Sequence, residues 1–296
     1  MQISANGISI EVDDQGPPDS PGGPPILMIM GLGMQLTAWP EPLVQRLVDR
    51  GRRVIRIDNR DAGLSQGYDH LGVPSFVPVM LRYFLHQPVH APYTIGDMAS
   101  DALGVLDALG VARAQVVGAS MGGMVAQHLA AEHGERIACL TLIMTTSGAR
   151  RLPQPSARVR MALLDRGKID PHDVEALVDR MEHVFDIIGS PAFRPDRDAM
   201  RDRIRSFVTR AYRPQGVVRH IVAVVADGDR SPLLARIIAP THIVHGAADP
   251  LVPVAAAHDL HAKIAGSTLE VIEGMGHDLP AALWPRLAES IAGVAH

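Results

Sequence analysis

The chain has 296 residues, 47% of them apolar, enough for a sizeable core in one large α/β domain or two average ones. Its 28 Lys and Arg face 32 Asp and Glu, a formal net charge of −4. Without long basic runs, and with only 4% aromatic residues, this excludes nucleic acid as the main partner. The single cysteine, Cys139, excludes an internal disulfide.

The opening MQISANGISIEVDD has no basic segment followed by an apolar one, so no signal peptide is expected. No apolar stretch approaches the roughly 20 residues of a membrane helix, and a cytoplasmic protein with no membrane partner is expected. ISIEVDDQG (8–16) alternates like a half-buried strand, and the Pro/Gly turn PPDSPGGPP follows it. PILMIMG (25–31) is a continuous apolar run of strand length, as in a parallel sheet buried on both faces. A helix is predicted over 41–50, where Leu43, Val44, Leu47 and Val48 repeat at helical spacing, and a strand over 53–59. Residues 67–92 carry several prolines around an apolar centre and are predicted as a loop insertion. TIGDMASDALGVLDALG (94–110) opens with Thr94 and Asp97 in a capping-box pattern, and Met98, Ala102, Leu106 and Leu109 share one face. A strand (AQVVG), a helix (MGGMVAQHLAAEH) and a strand (138–144) follow.

Residues 145–231 read as helices, for example DPHDVEALVDRMEHVF and DAMRDRIRSFVTRAY, with no convincing strand pair. THIVHG (241–246) and TLEVIEG (268–274) are strands, with helices between and after them. The alternation predicts a mostly parallel central sheet with helices on both faces. The expected organisation is an α/β core of 1–144 and 232–296 and a helical cap of 145–231. The 67–92 insertion could contribute to that cap.

Gly118-Ala119-Ser120-Met121-Gly122 fits G-x-S-x-G between a predicted strand and a predicted helix. Such a turn holds a serine in a strained conformation with its hydroxyl outward, and flanking glycines such as Gly118 and Gly122 are needed because side chains would clash. The bland alternative is a glycine-rich turn. A serine hydroxyl is a poor nucleophile unless a base takes its proton and an acid orients that base. Asp249 in HGAADPLVP and His277 in EGMGHDLP follow late strands in that order. Among 14 histidines one in a loop means little, and an Asp before Pro is an ordinary turn residue. The ordered set of three is what points to nucleophilic catalysis. Asp278 could compete for the acid role, but it adjoins His277 and would struggle to reach that ring.

With GASMGG, HGAADPLVP and GMGHDLP, the chain resembles the α/β-hydrolase fold superfamily over nearly its whole length, in its serine esterase branch. DNRDAGLS (58–65) is similar to the family's D-x-R-G-x-G-x-S turn, with Asp61 where glycine is commonest. MGLGMQLTAWP together with IDNRDAGLS looks most like the branch containing anthracycline methyl esterases. The resemblance implies an oxyanion hole made by the backbone N–H groups of Met121 and Leu32. Many relatives carry His-Gly where this chain has Met30-Gly31, so a side-chain hydrogen bond that often steadies that loop is missing. A plain turn after a buried strand is the alternative there.

The implied activity is hydrolysis of a small-molecule carboxylic ester, with a medium-chain acyl group or a polyester among the candidates. It would run through a Ser120–His277–Asp249 triad and an acyl-enzyme, with no cofactor and no metal. C–C bond or lactone hydrolysis and cofactor-free perhydrolysis would use the same triad. A ligand-binding, receptor-like protein with slow turnover is the alternative of another class. Leu36 breaks a G-x-G-x-x-G match, no Walker motif is present, and His258 and His261 lack the Glu of H-E-x-x-H. Residues 76–85 read equally as packing or as a substrate wall.

Overall fold

The computed structural model describes residues 1–164, 169, 170 and 172–295. Its first half runs β1 (Gln2–Ala5), β2 (Ile8–Gln15), β3 (Ile26–Ile29), α1 (Glu41–Val48), β4 (Val54–Ile57), α2 (Phe76–Phe84), α3 (Ile95–Ala108), β5 (Ala114–Ala119), α4 (Met121–Glu132) and β6 (Ile137–Ile143). Then come α5 (Ala157–Leu164), α6 (Val174–Ile188), α7 (Arg197–Ala211), α8 (Pro214–Asp227), α9 (Ser231–Leu234), β7 (Thr241–Gly246), α10 (Ala255–Lys263), β8 (Thr268–Ile272) and α11 (Trp284–Ala292).

The apolar runs make the centre of the sheet. Every residue of β3, β4 and β5 is buried, which only a sheet covered on both faces allows. Alternate side chains supply two cores: Leu27, Ile29, Ile55 and Val116 pack with Met98, Val105 and Leu129 of α3 and α4. Ile26, Met28, Val54 and Val117 face the other way, onto Leu43 and Leu47 of α1 and Leu287 and Ile291 of α11. The strand order is β1-β2-β4-β3-β5-β6-β7-β8. The β1–β2 and β2–β4 pairs are antiparallel and all others parallel, so the ends of β3 to β8 meet at one edge. This is the α/β-hydrolase architecture.

Helix α3 starts where the sequence pattern puts it. Asp97 N–H donates to Thr94 Oγ1 at 3.0 Å and Thr94 N–H to Asp97 Oδ2 at 2.8 Å, a reciprocal capping box. Thr94→Ala is expected to cost about 1 kcal/mol of stability. Thermal unfolding of the variant should show that loss, and its turnover should stay that of the wild type.

Three features differ from the sequence expectations. Gln2–Ala5 forms an edge strand that no apolar run announced. Within 67–92, expected as a loop insertion, Phe76–Phe84 is a helix: Pro78 falls in its first turn, where a missing N–H costs nothing. This α2 packs on α8. Between β6 and β7 the described residues hold only helices, and α9 straddles the expected boundary at 231/232. Parts of the predicted 145–231 segment, residues 165–168 and 171, lie outside the described residues, as does residue 296. Within this insertion α6 and α7 share a small core of Leu177, Val178, Ile204, Phe207 and Val208.

Candidate active site

Strand β5 leads straight into Ser120, whose φ of 53° and ψ of −120° lie in a region that side chains rarely adopt. Such a conformation costs on the order of 1–3 kcal/mol and persists only where its surroundings enforce it. Here they do. Ser120 N–H donates to Ile143 O at 3.0 Å, and the Thr145 hydroxyl donates to Ser120 O at 2.7 Å. A Cβ on Gly122 would strike the Ile29 carbonyl, and one on Gly118 would strike the carbonyl of Gly122. Only glycine fits at both flanks of the serine.

The neighbouring strands β7 and β8 deliver the other two residues. Asp249 follows β7 and His277 follows β8 by a few residues each. His277 Nδ1 lies 2.7 Å from Asp249 Oδ2, and its Nε2 lies 3.0 Å from Ser120 Oγ. A carboxylate only accepts, so Nδ1 carries the proton and the lone pair of Nε2 faces the serine hydroxyl. The other carboxylate oxygen, Oδ1, accepts the N–H groups of Leu251 and Val252 at 2.9 and 2.8 Å. His277 and Asp249 are buried. A second imidazole, His245, sits behind Asp249 with Nε2 3.6 Å from Oδ2, and burial lowers its pKa below the ordinary histidine value. Asp278 is turned away: its Oδ1 accepts both the amide N–H and the hydroxyl of Ser190.

The pairing of Ile29 with Gly118 in adjacent strands brings the loop after β3 against the serine. A Cβ on Gly31 would lie 3.0 Å from Ser120 Cβ and 3.5 Å from its Oγ, so that loop must be bare there. Among the described residues, the N–H groups of Leu32 and Met121 have no acceptor. The 58–65 turn braces the loop: Asn59 Nδ2 donates to Met30 O at 2.9 Å, and Leu36 N–H donates to Asp58 Oδ1 at 2.6 Å.

Sequence reasoning missed what the helical insertion brings. The His277 N–H donates to Ile188 O at the end of α6, and the Gly276 N–H donates to the Ser190 hydroxyl. Gly33 N–H donates to Nδ1 of His220, on α8, at 3.1 Å. These partners lie from 86 to 187 residues away, so no local pattern could signal them. Among the described residues no group of three His, Cys, Asp or Glu side chains could hold a metal ion, and no helix is long and apolar enough to cross a membrane.

Residues 24–183 match the alpha/beta hydrolase fold family, and the chain belongs to that family. It is a hydrolase by this membership and by its relatives. One is rhodomycin D methylesterase DauP of Streptomyces sp. (strain C5), 31% identical, with 92% of this chain and 90% of that protein covered. Another is 2-hydroxymuconate semialdehyde hydrolase of Pseudomonas sp. (strain CF600), 28% identical, with 93% and 86% covered. The crystal structure of the enol-lactonase from Burkholderia xenovorans LB400 superposes with a TM-score of 0.74 at 23% identity over 99% of both chains, which shows the shared fold.

Proposed function

We propose that the chain is a serine hydrolase of carboxylic esters. The observation that carries this reading is the single imidazole of His277 bridging Ser120 Oγ and the Asp249 carboxylate. Ser120 Oγ attacks the ester carbonyl carbon as its proton passes to His277 Nε2. The carbonyl electron pair moves onto oxygen, where the N–H groups of Leu32 and Met121 stabilise it. The tetrahedral adduct collapses, and His277 returns the proton to the departing alcohol. Water then repeats the sequence on the acyl-enzyme, with His277 again the base, and releases the acid. The helical insertion, with α2 against it, acts as a cap whose inner face shapes the acyl and alcohol pockets.

The likeness to a rhodomycin D methylesterase supports an ester as the bond cleaved. The likeness to 2-hydroxymuconate semialdehyde hydrolase supports a second reading, C–C bond hydrolysis by the same three residues. Hydrolysis of 4-nitrophenyl esters from acetate to decanoate, by wild type and Ser120→Ala side by side, separates the two. Ester turnover that falls by about three or more orders of magnitude in the variant is expected, judged from other triads. The chain-length optimum then sizes the acyl pocket. Turnover of a vinylogous 1,5-diketone acid, with none of any ester, would move the C–C reading ahead.

A further inference from the structure

The Met30 side chain offers the loop after β3 no hydrogen bond, yet that loop is also held by the helix packed on it. Helix α8 lies directly on it: a Cβ on Gly33 (φ 67°) would sit 2.6 Å from Val217 Cγ2, and one on Gly216 would strike the Asp61 carbonyl. From this helix the His220 ring reaches down with Nδ1 3.1 Å from Gly33 N and Nε2 2.7 Å from Arg60 O. A carbonyl only accepts, so Nε2 carries the proton and Nδ1 offers its lone pair to the Gly33 N–H. Both ring nitrogens are therefore satisfied by backbone groups, one on the loop that abuts Ser120 and the other on the 58–65 turn that braces that loop.

We propose that His220 is a positioning residue for the oxyanion hole, fixing the Leu32 amide through the next peptide and making α8 a structural part of the catalytic machinery. The proposal rests on the ester-hydrolase reading of Ser120 and Leu32. Holding the Gly33 N–H fixes the Leu32–Gly33 peptide plane, and with it the Leu32 torsions that aim the Leu32 N–H. Without the acceptor, a buried N–H is orphaned and the glycine-flanked loop is free to turn.

The ring is fully buried, with no exposed surface. Burial lowers its pKa below the ordinary histidine value, which keeps Nδ1 available as an acceptor at neutral pH. The charged groups around it are already paired. Arg219 binds Asp61 through two nitrogens and Arg60 binds Asp101 through two, while the Tyr93 ring stands edge-on 6.2 Å away with its hydroxyl on Asp61.

Three substitutions separate positioning from packing. His220→Asn places an amide oxygen near the position of Nδ1 and keeps the Gly33 acceptor. His220→Gln reaches the Nε2 position, keeps the donor to Arg60 and loses that acceptor. His220→Leu loses both. Complete loss of one oxyanion donor costs about 10²–10³ in kcat. A loosened donor is therefore expected to cost Gln and Leu about 10–100-fold in kcat, with KM little changed, while Asn stays near the wild type. The rate of Ser120 phosphonylation by a fluorophosphonate should fall in the same order, because that adduct also places an oxyanion in the hole.

Equal kcat per labelled serine in all three variants, with only the melting temperature lowered, would overturn the proposal and leave His220 as packing. A wild type whose Ser120 is not labelled would instead overturn the serine reading beneath it. Imidazole ¹⁵N shifts of the wild type need no variant: Nε2 protonated and Nδ1 free supports the assignment, and the opposite tautomer overturns it.

Discussion

Asp249→Asn is expected to lower kcat by about 10⁴-fold while leaving the fold and KM nearly unchanged. The two oxygens of Asp249 do different things. Oδ1 accepts two backbone N–H groups and so shapes the loop after β7, while Oδ2 faces only imidazole nitrogens. An asparagine keeps its carbonyl oxygen on the two amides, because the reverse orientation would orphan both. Its NH2 then points at His277 Nδ1. Two donors cannot face each other, so the ring moves its proton to Nε2, the nitrogen 3.0 Å from Ser120 Oγ. A protonated Nε2 cannot accept the serine proton, and the base is lost with the geometry intact. Steady-state kinetics on an ester and circular dichroism of the same sample check this. A loss below about tenfold would mean that Asp249 does not set the tautomer, and the triad reading would fall with it.

The parts of the site that the sequence makes legible are those written locally. Ser120, Asp249 and His277 each follow an apolar strand run closed by glycine, and parallel strands end at one edge, so order along the chain becomes proximity in space. The β3, β4 and β5 runs are equally legible, since a strand buried on both faces has no polar alternation to hide it. Helix α2 is harder to see. Pro74 and Pro78 break the sequence at its start, and its apolar stripe of Val77, Leu81 and Phe84 is exposed while Val79 is the buried residue, so the stripe does not mark a core-facing side. The edge strand β1 has four residues and one buried side chain, too little for a pattern. His220 and Arg219 are the opposite case: both are conspicuous only once α8 is docked. Their partners lie on loops that precede them by more than 140 residues, and helical periodicity marks them merely as an inward face.

The largest loss of stability is expected from Asp61→Asn, about 3–5 kcal/mol. Asp61 stands at φ 64°, a backbone conformation that asparagine also tolerates, so the substitution changes charge and leaves the backbone alone. Arg219 Nε and Nη2 donate to the two carboxylate oxygens at 2.6 and 2.9 Å, and both side chains are 0% exposed. Tyr93 Oη and the Tyr68 N–H complete the shell at 2.7 and 2.8 Å. Breaking the pair leaves the buried Arg219 charge compensated only by a carboxylate at the surface, and that cost exceeds what the pair contributes relative to an apolar replacement.

The same arginine supplies the control. Its Nη2 also donates to Asp69 at 2.7 Å, but the Asp69 side chain is 61% exposed. Asp69→Asn should therefore cost no more than about 1 kcal/mol. Burial alone would raise the Asp61 pKa, but the hydrogen bonds from Arg219, Tyr93 and Tyr68 outweigh it and hold it below the usual carboxylate value. A depressed folded-state pKa contributes stability that is fully present above the unfolded value of about 4 and is lost as the pH falls further. Urea unfolding of wild type and Asp61→Asn should accordingly differ by a constant amount near neutrality and converge below about pH 4. A gap that stayed constant into acid would show that shape at residue 61, and not its charge, seats α8 on the loop beside Ser120.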